Sequence, residues 1–332
     1  MQEMSSKYDL SILIPARNEE WLSQTVDDIL KNKRGKTEII VGLDGKWANP
    51  PIKSHPDVRI LYTSEPYGQR EMTNQLCRLS SAKYVMKCDA HVAFDEGFDV
   101  KMIEGFKEVG DDVTMIPMMY NLHVFDWKCM KCGSRWYMGP SPHHCMKDEK
   151  TVNPDCDNTT NFTKRLVWKP RLNRRTDFWM FDSEPHFQYF NGYKSRPEAQ
   201  GQIIETMSLI GACFMLTRER YWKLNICDKD FGSWGSQGIE VACKSWLSGG
   251  RLMTNKNTWF AHMFRTQKDF GFPYPQSNTQ VNEAKRKAKE LFFKGKFEGQ
   301  IKPLSWLVEK FMPLPGWSSE DLQQLKNNEQ KF

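Results

Sequence analysis

The segment AKYVMKCDAHV (82–92) reads as a short buried strand running into Asp89 and His91. Residues two apart on a strand point to the same side, so the carboxylate at 89 and the imidazole at 91 can converge on one ion. A mixed Asp/His donor set suits manganese or a similar borderline cation better than calcium or magnesium. Alone, the pair is also what a surface aspartate and a satisfied histidine near a strand end would produce, so its surroundings decide the reading.

Those surroundings alternate strand and helix. LSILIPA (10–16) is an apolar run closed by proline. NEEWLSQTVDDILKN follows with helical spacing of Trp21, Leu22, Val26, Ile29 and Leu30, and with acidic residues placed for the first turn. EIIVGLDG (38–45) and VRILYTS (58–64) read as strands, GQREMTNQLCRLSSA and EGFDVKMIEGFKEV as helices, and DVTMIPMMY (112–120) as another strand. Such alternation predicts an α/β domain with a mostly parallel central sheet flanked by helices. Ligands of such sheets lie beyond the carboxyl ends of the strands, where Asp44 and Asp89-Ala90-His91 both fall.

Other classes are excluded or disfavoured. No GxGxxG follows the first strand and no GxxxxGK[ST] occurs anywhere, which disfavours dinucleotide and P-loop sites. Any bound phosphate then needs another counter-charge, and a divalent cation supplies one. The 332 residues carry 47 Lys+Arg and 41 Asp+Glu, a net charge of +6 that permits an anionic partner without demanding nucleic acid. With 39% hydrophobic residues the chain can build a sizeable core. Mean hydropathy is −0.66, and no apolar run approaches the roughly 18 to 20 residues that span a bilayer. The N-terminus MQEMSSKYDL has neither basic nor apolar leader regions, so the reading is a soluble, cytoplasmic protein. Nine cysteines without an export signal argue against a disulfide framework.

The residues from Leu10 to about Asp95 resemble the nucleotide-sugar half of the GT-A glycosyltransferases. The matching pieces are Pro15-Ala16-Arg17-Asn18-Glu19 after the first strand, Asp44 ending the second, Val58-Arg59-Ile60-Leu61, and then Gly68 and Asn74 ahead of Asp89. Family 2 enzymes usually carry DxD at the last point; DxH resembles the polypeptide N-acetylgalactosaminyltransferases. Gly211-Ala212-Cys213-Phe214, Tyr221-Trp222 and Trp234-Gly235-Ser236-Gln237-Gly238-Ile239-Glu240 are similar to their glycine-rich strand and WGGEN-type acceptor motif, and Ala261-His262-Met263-Phe264-Arg265 to their GHVFR segment. The resemblance covers about 10–125 and 205–266. It implies a GT-A fold, a UDP-sugar donor and an Mn2+-like cation held by Asp89, His91 and His262. It also implies donor contacts from Pro15, Ala16, Arg17, Glu19, Asp44, Arg70, Asn74 and Arg265, and catalytic-site positions at Trp234, Gln237 and Glu240. Gln237 stands where the motif has its glutamate, and Glu240 matches the later acidic residue of that helix. The chain ends without room for the lectin domain of the secretory-pathway enzymes, so a mucin substrate is not implied.

Between the two halves, Cys129-Met130-Lys131-Cys132-Gly133 has zinc-knuckle spacing, and Cys145 follows at zinc-ribbon distance. The fourth ligand is Cys156, His143, His144 or Asp148. A structural Zn2+ is expected, because so short an insertion lacks a core of its own and would gain folding energy from the metal. The division is 1–125 for the nucleotide-sugar half, 126–168 for the zinc-ribbon-like insertion, 169–270 for the acceptor half and 271–332 for a helical tail.

The acceptor is read from the basic, aromatic segment after the insertion. Lys164, Arg165, Trp168, Lys169, Arg171, Arg174 and Arg175 precede Phe178, Trp179, Phe181, His186, Phe187, Tyr189 and Phe190. Cations for phosphates with aromatic faces for bases suit a flipped or single-stranded nucleotide. The alternative is a loop that closes over the donor. Asp182, Glu184 and His186 could line the acceptor site as bases. The favoured acceptor is a hydroxymethylated pyrimidine in phage DNA. The other readings are a cell-surface glycan, a protein Ser/Thr, or a catalytically dead nucleic-acid-binding module. The basic stretch NEAKRKAKELFFKGK in the tail reads as a helix docked through Leu291, Phe292 and Phe293.

Overall fold

The computed structural model describes residues 6–267 and 270–329. The first five residues, part of the reading of the N-terminus, and the last three of the polar end lie outside it. The nucleotide-sugar half comprises β1 (Leu10–Ala16), α1 (Leu22–Asn32), β2 (Thr37–Asp44), β3 (Val58–Thr63), α2 (Gln69–Leu79), β4 (Tyr84–Cys88), β5 (Val92–Phe94) and α3 (Phe98–Val109). The middle is a long hairpin of β6 (Val113–Cys129) and β8 (Phe162–Thr176), with β7 (Arg135–Tyr137) between them. The remainder holds β9 (Trp179–Phe181), β10 (Phe187–Tyr189), β11 (Ile203–Glu205), β12 (Cys213–Thr217), α4 (Arg218–Lys223), α5 (Gln237–Leu247), β13 (Arg251–His262), α6 (Asn278–Ala288), α7 (Leu304–Phe311) and α8 (Ser319–Glu329).

The central sheet runs β11-β13-β6-β12-β4-β1-β2-β3. β4, β1, β2 and β3 are parallel, as the alternation predicts. β12 enters antiparallel between β4 and β6, which makes the sheet mixed. β12 and β4 are buried at every position, as expected of central strands covered on both faces. Gly42 lets α2 lie tight on β2: a Cβ there would come within 2.4 Å of Met72 Sδ.

Three local expectations change. The first helix begins at Leu22, later than the sequence pattern suggests, and its first turn holds no acidic residue. Asn18 takes a left-handed φ of 55° and turns the chain, so that Glu19 is buried instead of capping the helix. The strand expected at 112–120 is only the first half of β6, which continues unbroken into Cys129 and joins the insertion to the main sheet. The insertion, expected to lack a core of its own, packs into one shared with the body, which contributes Ala93, Ala261 and Met263. Leu122, Val124, Phe125, Trp127, Trp136 and Met138 form a second apolar cluster, with Trp21 of the body stacked on Phe125 at 5.4 Å.

In the tail, Ala284, Ala288 and Phe292 are buried and Phe292 stacks on Phe231, so the basic helix docks on the body. Among the described residues no helix is long and apolar enough to cross a membrane.

Candidate active site

Asp89 immediately follows β4, His91 immediately precedes β5, and His262 ends β13. Antiparallel pairing of β13 with β5 sets His262 opposite Val92, next to His91. This pairing joins residues 173 apart in sequence. His262 Nε2 lies 3.2 Å from Asp89 Oδ2 and 3.2 Å from His91 Nε2, and the ligand atoms of the three residues fall within 4.8 Å of one another.

The surroundings fit a divalent cation. Burial lowers His262 to about 4 against the pull of the Asp89 carboxylate, with His91 and Lys87 adding to the drop. The imidazole is therefore neutral near pH 7, which is the ligating form. For Asp89, burial works upward, but Lys87, His262 and His91 hold the carboxyl well below its usual range. His262 Nδ1 is buried without a partner among the described residues, so the ring is oriented by what its Nε2 meets.

A second layer fixes these groups. Glu19 Oε2 lies 3.0 Å from His91 Nδ1, and Arg265 Nη2 donates to both Glu19 oxygens at 3.1 Å. Lys87, almost fully buried, donates to Asp89 Oδ1 and to the Gly211 carbonyl. Gln69 Nε2 donates to the same Asp89 oxygen at 3.3 Å.

Two adjoining cavities meet at this cluster. One is lined by Pro15, Ala16, Arg17, Glu19 and Asp44, with Gly68 and Gln69 at the N-terminus of α2. Both Asp44 oxygens accept backbone N–H groups, from Tyr67 at 2.6 Å and Gly68 at 2.9 Å, so Asp44 shapes the loop entering α2. The other is a cleft of about 500 Å³ walled by Gly211, Ala212, Gln237, His262, Arg265, His186 and Phe187. Trp234 and Tyr274 border both, and burial pushes Tyr274 up to about 12.

Three expected site residues point elsewhere. Arg70 is buried against Glu240 at 2.9 Å and donates to the carbonyls of Gly232 and Gly235. Asn74 donates to the Cys227 carbonyl at 2.9 Å and accepts from Tyr221 Oη at 2.7 Å. Glu240 is fully buried and also accepts from Lys244 Nζ and Asp228 N–H. These residues fasten α2 to α5 behind the cleft, because the apolar face of α2 turns inward and carries Arg70 and Asn74 with it. Gln237 stays in the cleft wall, its Nε2 3.5 Å from Cys227 Sγ. Asp182 accepts from the His186 N–H and Glu184 pairs with Lys289, leaving His186 of the three at the cleft.

Lys87, Gln69 and Tyr274 escaped the sequence reading. Lys87 had a signal: a lysine in an apolar strand, two residues before Asp89, shares its face. Nothing local marked Tyr274, which arrives on a loop after β13.

In the hairpin, Cys129, Cys132, Cys145 and Cys156 bring their sulfurs within 4.8 Å of one another. His143, His144 and Asp148 do not join them. Both histidines line a separate cavity beside Trp136, and Asp148 accepts from the N–H groups of Lys150 and Thr151.

The chain is 31% identical over 104 residues to the putative polypeptide N-acetylgalactosaminyltransferase 13 of Drosophila melanogaster, a match covering 31% of this chain and 18% of that protein. It is 28% identical over 111 residues to the human polypeptide N-acetylgalactosaminyltransferase 14, covering 32% and 20%. The chain thus spans about a fifth of the length of these relatives. The crystal structure of GalNAc-T7 with UDP, GalNAc and Mn2+ superposes over 98% of this chain and 55% of that one, with a TM-score of 0.59 and 14% identity, a likeness of fold. The Glycosyl transferase family 2 model matches residues 11–224, well over half of the chain, and the chain belongs to that family.

Proposed function

We propose that the protein moves a sugar from a UDP-sugar to a hydroxyl group, with an Mn2+-like cation at Asp89, His91 and His262. The observation carrying this reading is the convergence of those three ligand atoms where two cavities meet. A cation there supplies positive charge to the departing diphosphate. The chain's own groups do the rest. Glu19 orients His91, Lys87 holds Asp89, and Asp44 fixes the loop that brings Gly68 and Gln69 to the edge of the first cavity. The cleft beyond Trp234 admits the acceptor, and His186 and Lys285 are among the side chains lining it. The curated relatives are named as transferases of N-acetylgalactosamine to polypeptides, which favours UDP-N-acetylhexosamine donors and a Ser/Thr hydroxyl.

A second acceptor reading, hydroxymethylated pyrimidine in DNA, rests on one observation. Arg165, Lys169 and Arg174 are exposed along β8 and fit a phosphodiester backbone. Neither the relatives nor the fold adds to it, and nothing adds to a phage setting.

The test is UDP release from a panel of UDP-sugars, with Mn2+ or with chelator. We expect metal-dependent release that falls to background in His262→Ala. Absence of release with every donor would discard the enzyme reading in favour of a binding module. Mass spectrometry of Ser/Thr peptides, glycans and hydroxymethylpyrimidine DNA offered side by side separates the acceptors. A hexose or N-acetylhexosamine gain on peptide alone would remove the DNA reading.

A further inference from the structure

We propose that the β6–β8 hairpin holds one Zn2+ ion on Cys129, Cys132, Cys145 and Cys156, as a structural site separate from the transfer chemistry.

The donor geometry fits this ion. Tetrahedral zinc with Zn–S near 2.3 Å places sulfurs about 3.8 Å apart. Here Cys129 Sγ lies 3.7 Å from Cys156 Sγ, Cys132 Sγ lies 3.4 Å from Cys145 Sγ, and all four fall within 4.8 Å. Four cysteine sulfurs, with no imidazole or carboxylate joining them among the described residues, match the donor set of a structural zinc site.

The backbone is built around the sulfurs. After Cys132 the chain turns at Gly133, whose φ of 81° suits glycine, and Gly133 N–H donates to the Cys129 carbonyl at 2.9 Å. Cys129 N–H donates to the Ser134 carbonyl at 2.9 Å, closing the knuckle. The second half is a loop tied by Asn153 N–H to the Cys145 carbonyl at 2.8 Å and Cys156 N–H to the Asn153 carbonyl at 3.3 Å. Cys145 N–H reaches the Asn158 carbonyl at 3.0 Å.

An outer shell of amides faces the sulfurs. Asn158 Nδ2 donates to Cys129 Sγ at 3.1 Å, and Asn153 Nδ2 lies 3.7 Å from both Cys132 Sγ and Cys145 Sγ. Such donors stabilise thiolate charge and orient the ligands.

The site closes the far end of the hairpin while the near end grips the body. Trp168 Nε1 donates to Asp28 at 3.0 Å, Lys164 pairs with Glu20 at 2.6 Å, and Gln267 Nε2 donates to the Met138 carbonyl at 3.3 Å. Gln267 lies two residues beyond Arg265, so the hairpin supports the chain leaving β13.

The experiment is elemental analysis of the full chain after gel filtration, followed by Co2+ exchange. We expect one tightly held zinc per chain. With Co2+ we expect the near-ultraviolet thiolate charge-transfer band and the visible bands of tetrahedral cobalt. His262→Ala should keep both signals, which separates this site from the Asp/His cluster. Cys132→Ser and Cys145→Ser should lose them. Should those variants fail to fold, Cys145→His should retain the metal with a shifted cobalt spectrum. Folded wild-type protein without zinc and without the thiolate–cobalt band would overturn the proposal. So would a non-reduced intact mass lowered by the hydrogens lost to Cys129–Cys156 and Cys132–Cys145 disulfides.

Discussion

Glu19 and His91 meet at 3.0 Å, carboxylate to Nδ1, and this contact sets the face that His91 turns to the site. With its Nδ1 proton committed to Glu19, the ring presents the Nε2 lone pair toward Asp89 and His262. Burial works to raise the Glu19 carboxyl, yet His91 and Arg265 hold it below its ordinary value, so it remains an anion at neutral pH.

Glu19→Gln should therefore weaken Mn2+ binding by about 10- to 100-fold, the usual loss for an outer-shell partner of a metal-binding histidine. Titration calorimetry with Mn2+ reads this, with near-ultraviolet circular dichroism as the check on folding. An unchanged affinity in the folded variant would remove Glu19 from the site.

Glu240 sits between Arg70 and Lys244, all three almost fully buried. Glu240→Gln leaves two buried cations under-compensated and should destabilise the fold by about 3–5 kcal/mol in urea titrations. UDP release by the folded variant at low temperature should stay within about twofold of wild type, since Glu240 faces away from both cavities and touches no reacting group. Full loss of turnover in folded protein would return Glu240 to the catalytic set.

Asp57 accepts from Lys33 Nζ and Tyr8 Oη, each at 2.8 Å, a clasp between the end of α1 and the approach to β3. The hydrogen bond from Lys33 lowers its carboxyl, and Tyr8 adds to that against partial burial. A depressed folded-state value contributes stability above the unfolded value of about 3.9 and loses it as pH falls through the folded one. Asp57→Asn should cost about 1 kcal/mol near neutrality, given the partial exposure of the pair. The gap between the urea midpoints of variant and wild type should then narrow as pH falls below about 3.9 and through the folded-state value. A gap that persists undiminished in acid would contradict the assignment.

The five cysteines outside the hairpin are all raised by burial, whereas within the hairpin a hydrogen bond with Ser134 lowers Cys132 to about 6 and burial raises Cys145 to about 12. Burial pushes Cys77 up to about 12 and raises Cys88, Cys213, Cys227 and Cys243 as well. At about pH 8 these stay protonated thiols and resist alkylation. Peptide mapping after chelation and iodoacetamide should find label first on the exposed Cys132 and none on these five. Modification of Cys88 or Cys213 in folded protein would count against the buried core described for β4 and β12.

The sequence made the parallel half of the sheet readable because each apolar run and each helical spacing is local. The Asp89/His91 pair was equally local, but the structure brings the two together across the bend between β4 and β5 and not by the two-residue period of one strand. His262 entered only through motif resemblance, since the β5–β13 pairing that delivers it is a non-local event. Arg70, Asn74 and Glu240 stand outside the lining of both cavities for a related reason. Their positions in the motifs are near the site, but the inward face of α2 decides their direction, and no spacing within one helix says which neighbour that face meets. The antiparallel entry of β12 and the full length of β6 were hidden too, because both depend on partners that arrive later in the chain.

The two strands of the long hairpin leave the sheet side by side, with Tyr120 opposite Arg175. A tight turn grafted at that pair would reconnect the chain and excise residues 121–174, uncovering Trp21 where it stacks on Phe125 and also Ala93, Ala261 and Met263 of the shared apolar cluster. The hairpin is in this sense a cassette. β13 pairs with β6 no further than Asn121, and the length beyond that point is held only by β7 and β8, so the cassette would be carried to another scaffold with both of its long strands.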